Sequence, residues 1–194
     1  MTMIIPRWNA PSNIKAFAST RVGGFSKDEY QGLNLGTHVG DDLATVQKNR
    51  EWLQQNSMMP NTPTWLNQTH STTVIEVDTV SSTVLDADGA FTKKVGIVCA
   101  AMTADCLPVL LTNTQGTQVA AVHAGWRGLA DGIVENAVQK FDGEVLAWLG
   151  PAIGPSAFEV GEDVLDAFVA FDENAIHAFK EKTQPGKWLA NMSQ

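Results

Sequence analysis

Residues Cys99–Gly128 read C-A-A-M-T-A-D-C-L-P-V-L-L-T-N-T-Q-G-T-Q-V-A-A-V-H-A-G-W-R-G. Within them, Leu107–Leu111 and Val119–Val122 are short aliphatic runs, separated by a polar segment that contains a glycine. Bounded apolar runs of this length are typical of buried strands, and a glycine-containing connection favours a hairpin. The pattern therefore predicts two antiparallel strands at the centre of the fold.

The predicted hairpin brings a thiol and an imidazole together. Cys106 stands at the entry of the first strand, and His123 stands at the exit of the second. Antiparallel pairing places these two ends side by side, so we expect the two side chains to lie close in space. A thiolate and an imidazole suit zinc or copper, but they are equally the parts of a Cys–His nucleophile. The residues alone leave both chemistries open.

The composition limits the class of protein. The chain has 194 residues, a formal net charge of −8 and no Lys/Arg cluster, whereas nucleic-acid binding normally requires a basic face. Cys99 and Cys106 are the only cysteines, which predicts a reducing, cytoplasmic compartment rather than a disulfide framework. The N-terminus lacks the pattern of a signal peptide, and no apolar run reaches membrane-spanning length. We expect one domain over residues 1–194, without nucleic-acid or membrane partners and with no oligomeric state implied.

Hydrophobic periodicity predicts the remaining elements. A helix is expected over residues 44–56, capped by Asp42, and a second helix is expected to run from Gly125 to Phe141 without interruption. Further strands are expected at residues 14–20, 72–77, 96–102 and 145–149, and further helices at residues 164–171 and 175–182.

Four polar residues outside the hairpin have both a structural and a functional interpretation. His70 lies at or near a strand end, where a lone histidine usually has a structural role. Asp86 and Asp88 could form a carboxylate pair, although turn and capping roles are commoner for aspartates in such a segment. Arg127 stands at a predicted helix start, where it could bind an anion together with the backbone N–H groups or simply be a surface residue.

Six segments resemble one family and occur in that family's order from about Ser19 to the C-terminus: R-V-G-G-F-S, N-L-G-T-H-V-G-D-D, Q-T-H-S, T-A-D-C-L-P-V-L-L, H-A-G-W-R-G-L and L-G-P-A-I-G-P-S-A-F-E-V-G. It is the YfiH family, variously named multicopper polyphenol oxidase, laccase-domain protein and purine nucleoside phosphorylase. The resemblance implies an α+β fold of mixed β-sheets packed together with outer helices. It also implies that the family's metal-binding His, Cys and His fall on His70, Cys106 and His123.

The resemblance further implies an activity. Members are described as cleaving purine nucleosides with phosphate, which gives the base and ribose 1-phosphate, and as deaminating adenosine. Three protein ligands leave a fourth zinc position open for water, phosphate or substrate. On this interpretation the three metal ligands and Asp105 serve catalysis, with Asp105 as a proton carrier or as a group that orients a ligand. Arg21 and Arg127 are then candidates for phosphate, and Asn34 for a sugar hydroxyl.

Other classes of protein fit the same residues. Cys106 and His123 could form a metal-free hydrolase or amidase pair acting on cell-wall precursors. A copper-dependent polyphenol oxidase would use the same types of ligand, although four histidines and two cysteines are too few for a multicopper centre. A third alternative is a metal-stabilised binding domain without catalysis.

Family chains continue for roughly fifty residues beyond the end of this sequence and carry a Cys-Thr and a Phe-Phe-Ser-Tyr-Arg-Arg segment there. We therefore expect this shorter form to bind metal but to have reduced activity.

Overall fold

The computed structural model describes residues 2–194 and confirms an α+β fold. The strands, in chain order, are β1 Met3–Ile4, β2 Ala18–Ser19, β3 Pro63–Thr64, β4 Leu66–Asn67, β5 Val74–Glu76, β6 Leu85–Asp86, β7 Gly89–Thr92, β8 Val98–Cys99, β9 Leu107–Asn113, β10 Val119–Ala124, β11 Val145–Leu149, β12 Glu159–Gly161, β13 Phe179–Glu181 and β14 Lys187–Ala190. The α-helices are α1 Leu43–Asn56, α2 Trp126–Ala130, α3 Ile133–Val138 and α4 Glu162–Phe171, and 3-10 helices span Asp28–Tyr30 and Glu173–Ala178. None of the helices in residues 2–194 combines the length and the apolar character that crossing a bilayer requires.

The sheets are mixed, as the resemblance implied. The largest has the strand order β11-β9-β10-β7-β5, in which β5 and β7 are parallel and the other neighbours are antiparallel. A three-stranded sheet has the order β12-β14-β13, and the pairs β1–β2, β3–β8 and β4–β6 complete the strand pairing of the described residues. Helices α2 and α3 follow β10 directly and lie against the largest sheet.

The predicted hairpin is confirmed as β9 and β10, and it forms the core. Val122 pairs with Val109 and Ala120 with Leu111, and all four side chains are buried. Burial on both faces explains why these strands lack an alternating polar pattern. The helix that follows contributes Ile133 to the same cluster. Complete burial of an aliphatic side chain of this size contributes about 1.5–3 kcal/mol to the free energy of folding. The buried side chains of the hairpin therefore make a large contribution to the stability of the fold.

Helix α1 begins where the sequence predicted. The Asp42 carboxylate accepts a hydrogen bond of 2.8 Å from the backbone N–H of Thr45, which satisfies one of the free donors at the helix start. Val46 and Leu53 are buried on the inner face. The helix therefore packs through the stripe that its periodicity indicated.

The expected continuous helix from Gly125 to Phe141 is wrong. It is divided into α2 and α3 at Gly132, whose φ of +87° lies in the left-handed region that glycine adopts without strain. Leu129, Ile133 and Ala137 keep helical spacing across the break, so the periodicity concealed it. Hydrophobic spacing reports which side chains face the core, and it does not report whether the backbone between them is continuous.

The expected helix over residues 175–182 is also wrong. The chain forms the 3-10 helix Glu173–Ala178 and then β13, in which Lys180 pairs with Leu189 of β14. The Phe179 ring packs on Phe168 of α4 at a centroid distance of 5.8 Å. Pairing in a hairpin with the next strand, β14, overrode the local helical pattern. The strands expected at residues 14–20, 72–77 and 96–102 are present but shorter, as β2, β5 and β8, whereas β11 matches its expected bounds.

Candidate metal centre

The hairpin places three potential metal ligands at one end of the sheet. One ligand atom each of His70, Cys106 and His123 lies within 4.8 Å of the others. His123 pairs with Pro108 across the β9–β10 ladder, so Cys106, two residues earlier, lies at the same end of the hairpin. Cys106 Sγ is 4.0 Å from His70 Nε2, and the two imidazole rings meet edge to face with centroids 4.8 Å apart. The predicted proximity of Cys106 and His123 is thus confirmed, and His70 joins them.

The cluster is closed on one side and open on the other. His123 is only 5% exposed, Cys106 is partly buried, and His70 is exposed. Gln68 ties together the loops that carry the two outer residues, since its amide donates to Met102 O at 2.7 Å and accepts from Met102 N at 2.7 Å. A ligand can therefore reach the cluster from the His70 side while the loops around it stay connected.

Asp88 contacts both histidines, whereas the sequence suggested it only as part of a carboxylate pair with Asp86. Asp86 is exposed and accepts a hydrogen bond from Asn67 Nδ2. The Asp88 carboxylate is fully buried. Oδ1 accepts hydrogen bonds from His123 Nδ1 at 2.8 Å and from the backbone N–H of His70 at 3.0 Å. Oδ2 accepts from the N–H and hydroxyl of Ser71, both at 2.7 Å, and from the N–H of Thr69 at 3.1 Å. All of these partners are donors.

The hydrogen bonds keep Asp88 ionised in spite of its burial. Burial alone would raise the pKa of Asp88, but the bonds from His123, Ser71 and the backbone outweigh it, and the pKa lies below its usual value. The sequence carried a signal that could have identified the residue. An acidic side chain in the otherwise small and apolar segment A-D-G-A-F, which becomes β7, requires buried donors around it.

The surroundings of Cys106 disfavour a free thiolate. Burial, the charges of Asp105 and Asp88, and a hydrogen bond with Asp105 raise the pKa of the Cys106 thiol to about 11. Nucleophilic cysteines have lowered pKa values, which is the opposite of what this environment produces. A coordinated metal ion deprotonates a thiol outright. The electrostatics therefore suit a metal ligand better than a metal-free nucleophile.

Gly125 keeps space free beside the cluster. A Cβ at this position would stand 2.7 Å from His70 Cδ2 and 3.2 Å from Cys106 Sγ. The 4.0 Å between Cys106 Sγ and His70 Nε2 exceeds the roughly 3.5 Å that usual zinc bond lengths and tetrahedral angles would set, so these two ligands would have to approach each other by about 0.5 Å. Two imidazoles and one thiolate fit zinc or copper, with a fourth position left for another ligand.

Two further candidates are next to the cluster in the chain. Asp105 is exposed, and its carbonyl accepts a hydrogen bond of 2.9 Å from Ile153 N, which fixes the backbone before Cys106. Arg127 is exposed, and its guanidinium lies 4.2 Å over the ring of Trp126. The helix that begins there has only five residues, so the guanidinium is the more important part of the proposed anion site.

The other two candidates hold their own loops together. Arg21 donates from Nε and from its terminal nitrogen to Gln31 O, at 3.2 and 2.7 Å. Asn34 donates to Asp41 Oδ2 at 2.9 Å and accepts from Gly36 N at 3.0 Å. These contacts give both residues a structural role in the N-terminal loops, and their part in substrate binding stays a prediction.

Sequence comparisons agree with the resemblance noted above. The model of the family described as multi-copper polyphenol oxidoreductase laccase matches residues 15–194. A purine nucleoside phosphorylase of Haemophilus influenzae is 50% identical over 198 residues, which cover 100% of this chain and 81% of that protein. The purine nucleoside phosphorylase YfiH of Escherichia coli is 46% identical over 195 residues, which cover 99% of this chain and 79% of that protein.

Solved structures show the same fold. A Neisseria meningitidis protein superposes with a TM-score of 0.92 at 46% identity, covering 98% of this chain and 79% of that one. YlmD from Geobacillus stearothermophilus superposes with a TM-score of 0.83 at 26% identity, covering 98% of this chain and 80% of that one. The layered α+β architecture is therefore shared with both.

Proposed function

Because this chain belongs to the family described as multi-copper polyphenol oxidoreductase laccase, we propose that it is a zinc-dependent purine nucleoside phosphorylase. Its substrates are adenosine or inosine and phosphate, and its products are the purine base and ribose 1-phosphate. One observation carries the proposal: the His70–Cys106–His123 cluster, open to solvent on one side, occurs in a chain whose relatives carry this name at up to 50% identity. The unpaired state of Cys99 and Cys106 supports a cytoplasmic location.

The ligand set supports zinc in preference to copper. Three protein ligands and an open fourth position are typical of catalytic zinc. Blue-copper sites add a weak axial methionine, but Met102, the methionine nearest to Cys106 in the sequence, has its sulfur 3.8 Å from the Arg50 guanidinium. When bound, zinc supplies a Lewis acid that polarises a substrate oxygen.

The remaining residues are assigned by the demands of phosphorolysis. An oxygen of dihydrogen phosphate forms a bond to C1′ of the ribose, the bond from C1′ to the purine nitrogen breaks, and the phosphate proton ends on the base. Arg127 binds the phosphate through its planar guanidinium, which stacking on Trp126 restrains. Asp105, exposed beside Cys106, carries the proton from phosphate to base. Asn34 and Arg21 are kept as candidates for the ribose hydroxyl and the phosphate.

Adenosine deamination belongs to the same proposal as a second activity of the site. It exchanges the C6 amino group for an oxygen from water and releases ammonia, so it requires an open position near the metal ligands and a proton carrier. The exposed face of His70 and the neighbouring Asp105 supply both. The alternative of a Cys–His hydrolase acting on cell-wall precursors has less support, because the raised pKa of Cys106 disfavours a metal-free thiolate.

The test is to incubate metal-analysed protein with inosine or adenosine, with and without phosphate, and to quantify base, ribose 1-phosphate and ammonia. We expect release of base to depend on phosphate, to be lost after chelation and to return with zinc. The Cys99→Ala protein is the control, because it removes a thiol outside the cluster. Base release without phosphate would contradict phosphorolysis. Activity that survives chelation would favour the Cys–His hydrolase, and oxidation of polyphenols by the copper-loaded protein alone would favour the oxidase.

A further inference from the structure

We propose that Asp88 is a positioning residue that fixes both histidines of the metal centre through a single carboxylate. The inference rests on the proposed function only in taking His70 and His123 as metal ligands, and it does not depend on the substrate. The carboxylate acts on the two histidines in different ways: it holds the ring of one and the backbone of the other.

The contact with His123 sets the tautomer of the ring. Four other donors, the N–H groups of Thr69, His70 and Ser71 and the Ser71 hydroxyl, converge on the Asp88 carboxylate and favour a group that only accepts. The 2.8 Å bond that joins Asp88 Oδ1 to the His123 ring therefore has its proton on Nδ1. Nε2 is then left with a free lone pair, which is the form of imidazole that binds a metal ion. The backbone N–H of His123 also donates to the carbonyl of Asp88 at 2.7 Å. The ring is therefore fixed both in orientation and in protonation.

The contact with His70 fixes the backbone conformation of the loop Thr69–Ser71. His70 has a φ of +60°, a left-handed conformation that is uncommon for residues other than glycine. The N–H groups of Thr69, His70 and Ser71 all donate to the Asp88 carboxylate, and the Ser71 hydroxyl adds a further bond. This set of bonds keeps the loop in its strained shape. It also directs the His70 ring towards the other two ligands.

An asparagine cannot replace this carboxylate in either of its two orientations. If the amide oxygen takes the place of Oδ2 and accepts from the N–H groups of Ser71 and Thr69, the amide nitrogen takes the place of Oδ1. It then faces the His70 N–H and His123 Nδ1, and it forces the imidazole proton to Nε2, where a metal ion should bind. If the oxygen faces His123 instead, the amide N–H₂ meets the N–H groups of Ser71 and Thr69. One of the two histidine ligands is lost in each case, although the side chain has almost the same size.

The first experiment measures zinc affinity by competition with a chromophoric chelator, in the wild-type protein and in Asp88→Asn. We expect the affinity to fall by at least about 10- to 100-fold, the range found when partners of metal ligands are removed. Cobalt replacing zinc should show an altered visible spectrum in this variant, which a general loss of stability would not produce. Asp86→Asn is the matched control, because Asp86 is exposed and bonded to Asn67 Nδ2. Its zinc affinity should match that of the wild type.

The second experiment uses the wild-type protein, so it stands even if Asp88→Asn does not fold. Two-bond ¹H–¹⁵N correlations of the metal-free protein assign the His123 tautomer, and we expect the proton on Nδ1. A proton on Nε2, or wild-type zinc affinity and cobalt spectrum in Asp88→Asn, would overturn the inference. A protein whose zinc affinity depends on Asp88 but which does not cleave nucleosides would uphold the inference and overturn the proposed function.

Discussion

Asp88 and Asn49 are both fully buried and both organise loops, but they do so with different chemistry. Asn49 donates from Nδ2 to Ser26 Oγ at 2.9 Å and to Asn34 O at 2.8 Å, and its Oδ1 accepts from Phe25 N at 2.8 Å. The Asn49 cluster, formed by these four residues, therefore needs a side chain that donates and accepts. The Asp88 cluster, formed by Asp88, Thr69, His70, Ser71 and His123, presents only donors to its central side chain.

The difference shows what a buried charge contributes. A neutral amide is sufficient to hold the glycine-rich N-terminal loops, and it avoids the desolvation cost of an ion. A carboxylate is needed where every partner is a donor and where one partner is an imidazole that must keep its other nitrogen free. We therefore expect changes in the Asp88 cluster and its neighbours to alter metal binding, and changes in the Asn49 cluster to alter folding stability.

The largest effect is expected for Cys106→Ala. This change removes the thiolate ligand and leaves the two histidines and Asp88 in place. We expect zinc affinity to fall by more than about 100-fold, beyond the usual effect of losing a ligand's partner. Elemental analysis after dialysis measures it directly. Full retention of metal in this variant would remove Cys106 from the metal centre.

Gly125→Ala should have a smaller effect on the same site. The new Cβ would stand 2.7 Å from the His70 ring, so that ring has to shift. The φ of Gly125 is −64°, which alanine adopts without backbone strain, and the entropic gain of about 0.4–1 kcal/mol is offset by the contact with the His70 ring. The free energy of unfolding should therefore change by less than about 1 kcal/mol. We expect zinc affinity to fall by about 10-fold, the lower end of the effect of disturbing a ligand.

The matched control for Gly125→Ala is Gly154→Ala. A Cβ at Gly154 meets no atom within 4 Å, and its φ is not positive. Chelator competition and denaturant unfolding of both variants separate the metal site from the fold. Equal zinc affinities of the two variants would show that zinc binding does not require the space that Gly125 leaves beside His70.

Asn49→Asp tests the other half of the comparison. It places a carboxylate oxygen against the Asn34 carbonyl, where the amide donated, so an acceptor faces an acceptor. Loss of a buried hydrogen bond with an unsatisfied partner costs about 1–3 kcal/mol, and more for a charged group. We expect a lower free energy of unfolding and unchanged zinc affinity in the folded protein. Reduced zinc affinity with unchanged folding stability would contradict the assignment of metal binding to the Asp88 cluster and of folding stability to the Asn49 cluster.

The centre of the fold could be predicted because its signals are local. The apolar runs of β9 and β10 and the turn between them fixed the relative positions of Cys106 and His123. His70 was ambiguous from spacing and gained a role only through the family resemblance. The acidic side chain in the apolar segment of β7 indicates that Asp88 needs buried donors. It does not indicate which ones, because the partners lie in separate segments, Thr69–Ser71 and His123, which meet only in the folded chain.

The ends of several elements could not be predicted from hydrophobic spacing. The break at Gly132 depends on the left-handed conformation of one glycine, and β13 forms a hairpin with β14; the helical spacing of the apolar residues reports neither. The organisation of residues 1–194 as one domain stays a prediction. This chain spans about four fifths of the length of the two relatives named above.

The smallest effect is expected for Cys99→Ala, which removes a thiol near the centre without touching either cluster. Cys99 lies in β8 beside Thr64 and packs against an apolar group that includes Leu66 and Ala90. Burial raises its pKa to about 12, so it stays a neutral thiol at any pH at which the protein is assayed. Loss of the sulfur atom of this partly buried side chain should cost about 0.5–1.5 kcal/mol of folding stability.

Zinc affinity and nucleoside cleavage should then stay within a few-fold of the wild type in Cys99→Ala. Alkylation of the native protein should also modify Cys99 slowly, because the protonated thiol is a poor nucleophile. Denaturant unfolding measures the folding stability, chelator competition the zinc affinity, release of base the nucleoside cleavage, and peptide mapping after iodoacetamide treatment the alkylation of Cys99. Cys99 pairs with Thr64 in a two-stranded sheet separate from the hairpin, and the chain between Cys99 and Cys106 includes the Thr103–Asp105 segment. A loss of metal as large as that in Cys106→Ala would mean that this segment brings both sulfurs to the metal. The assignment of Cys106 as a metal ligand and of Cys99 as a structural residue would then be wrong.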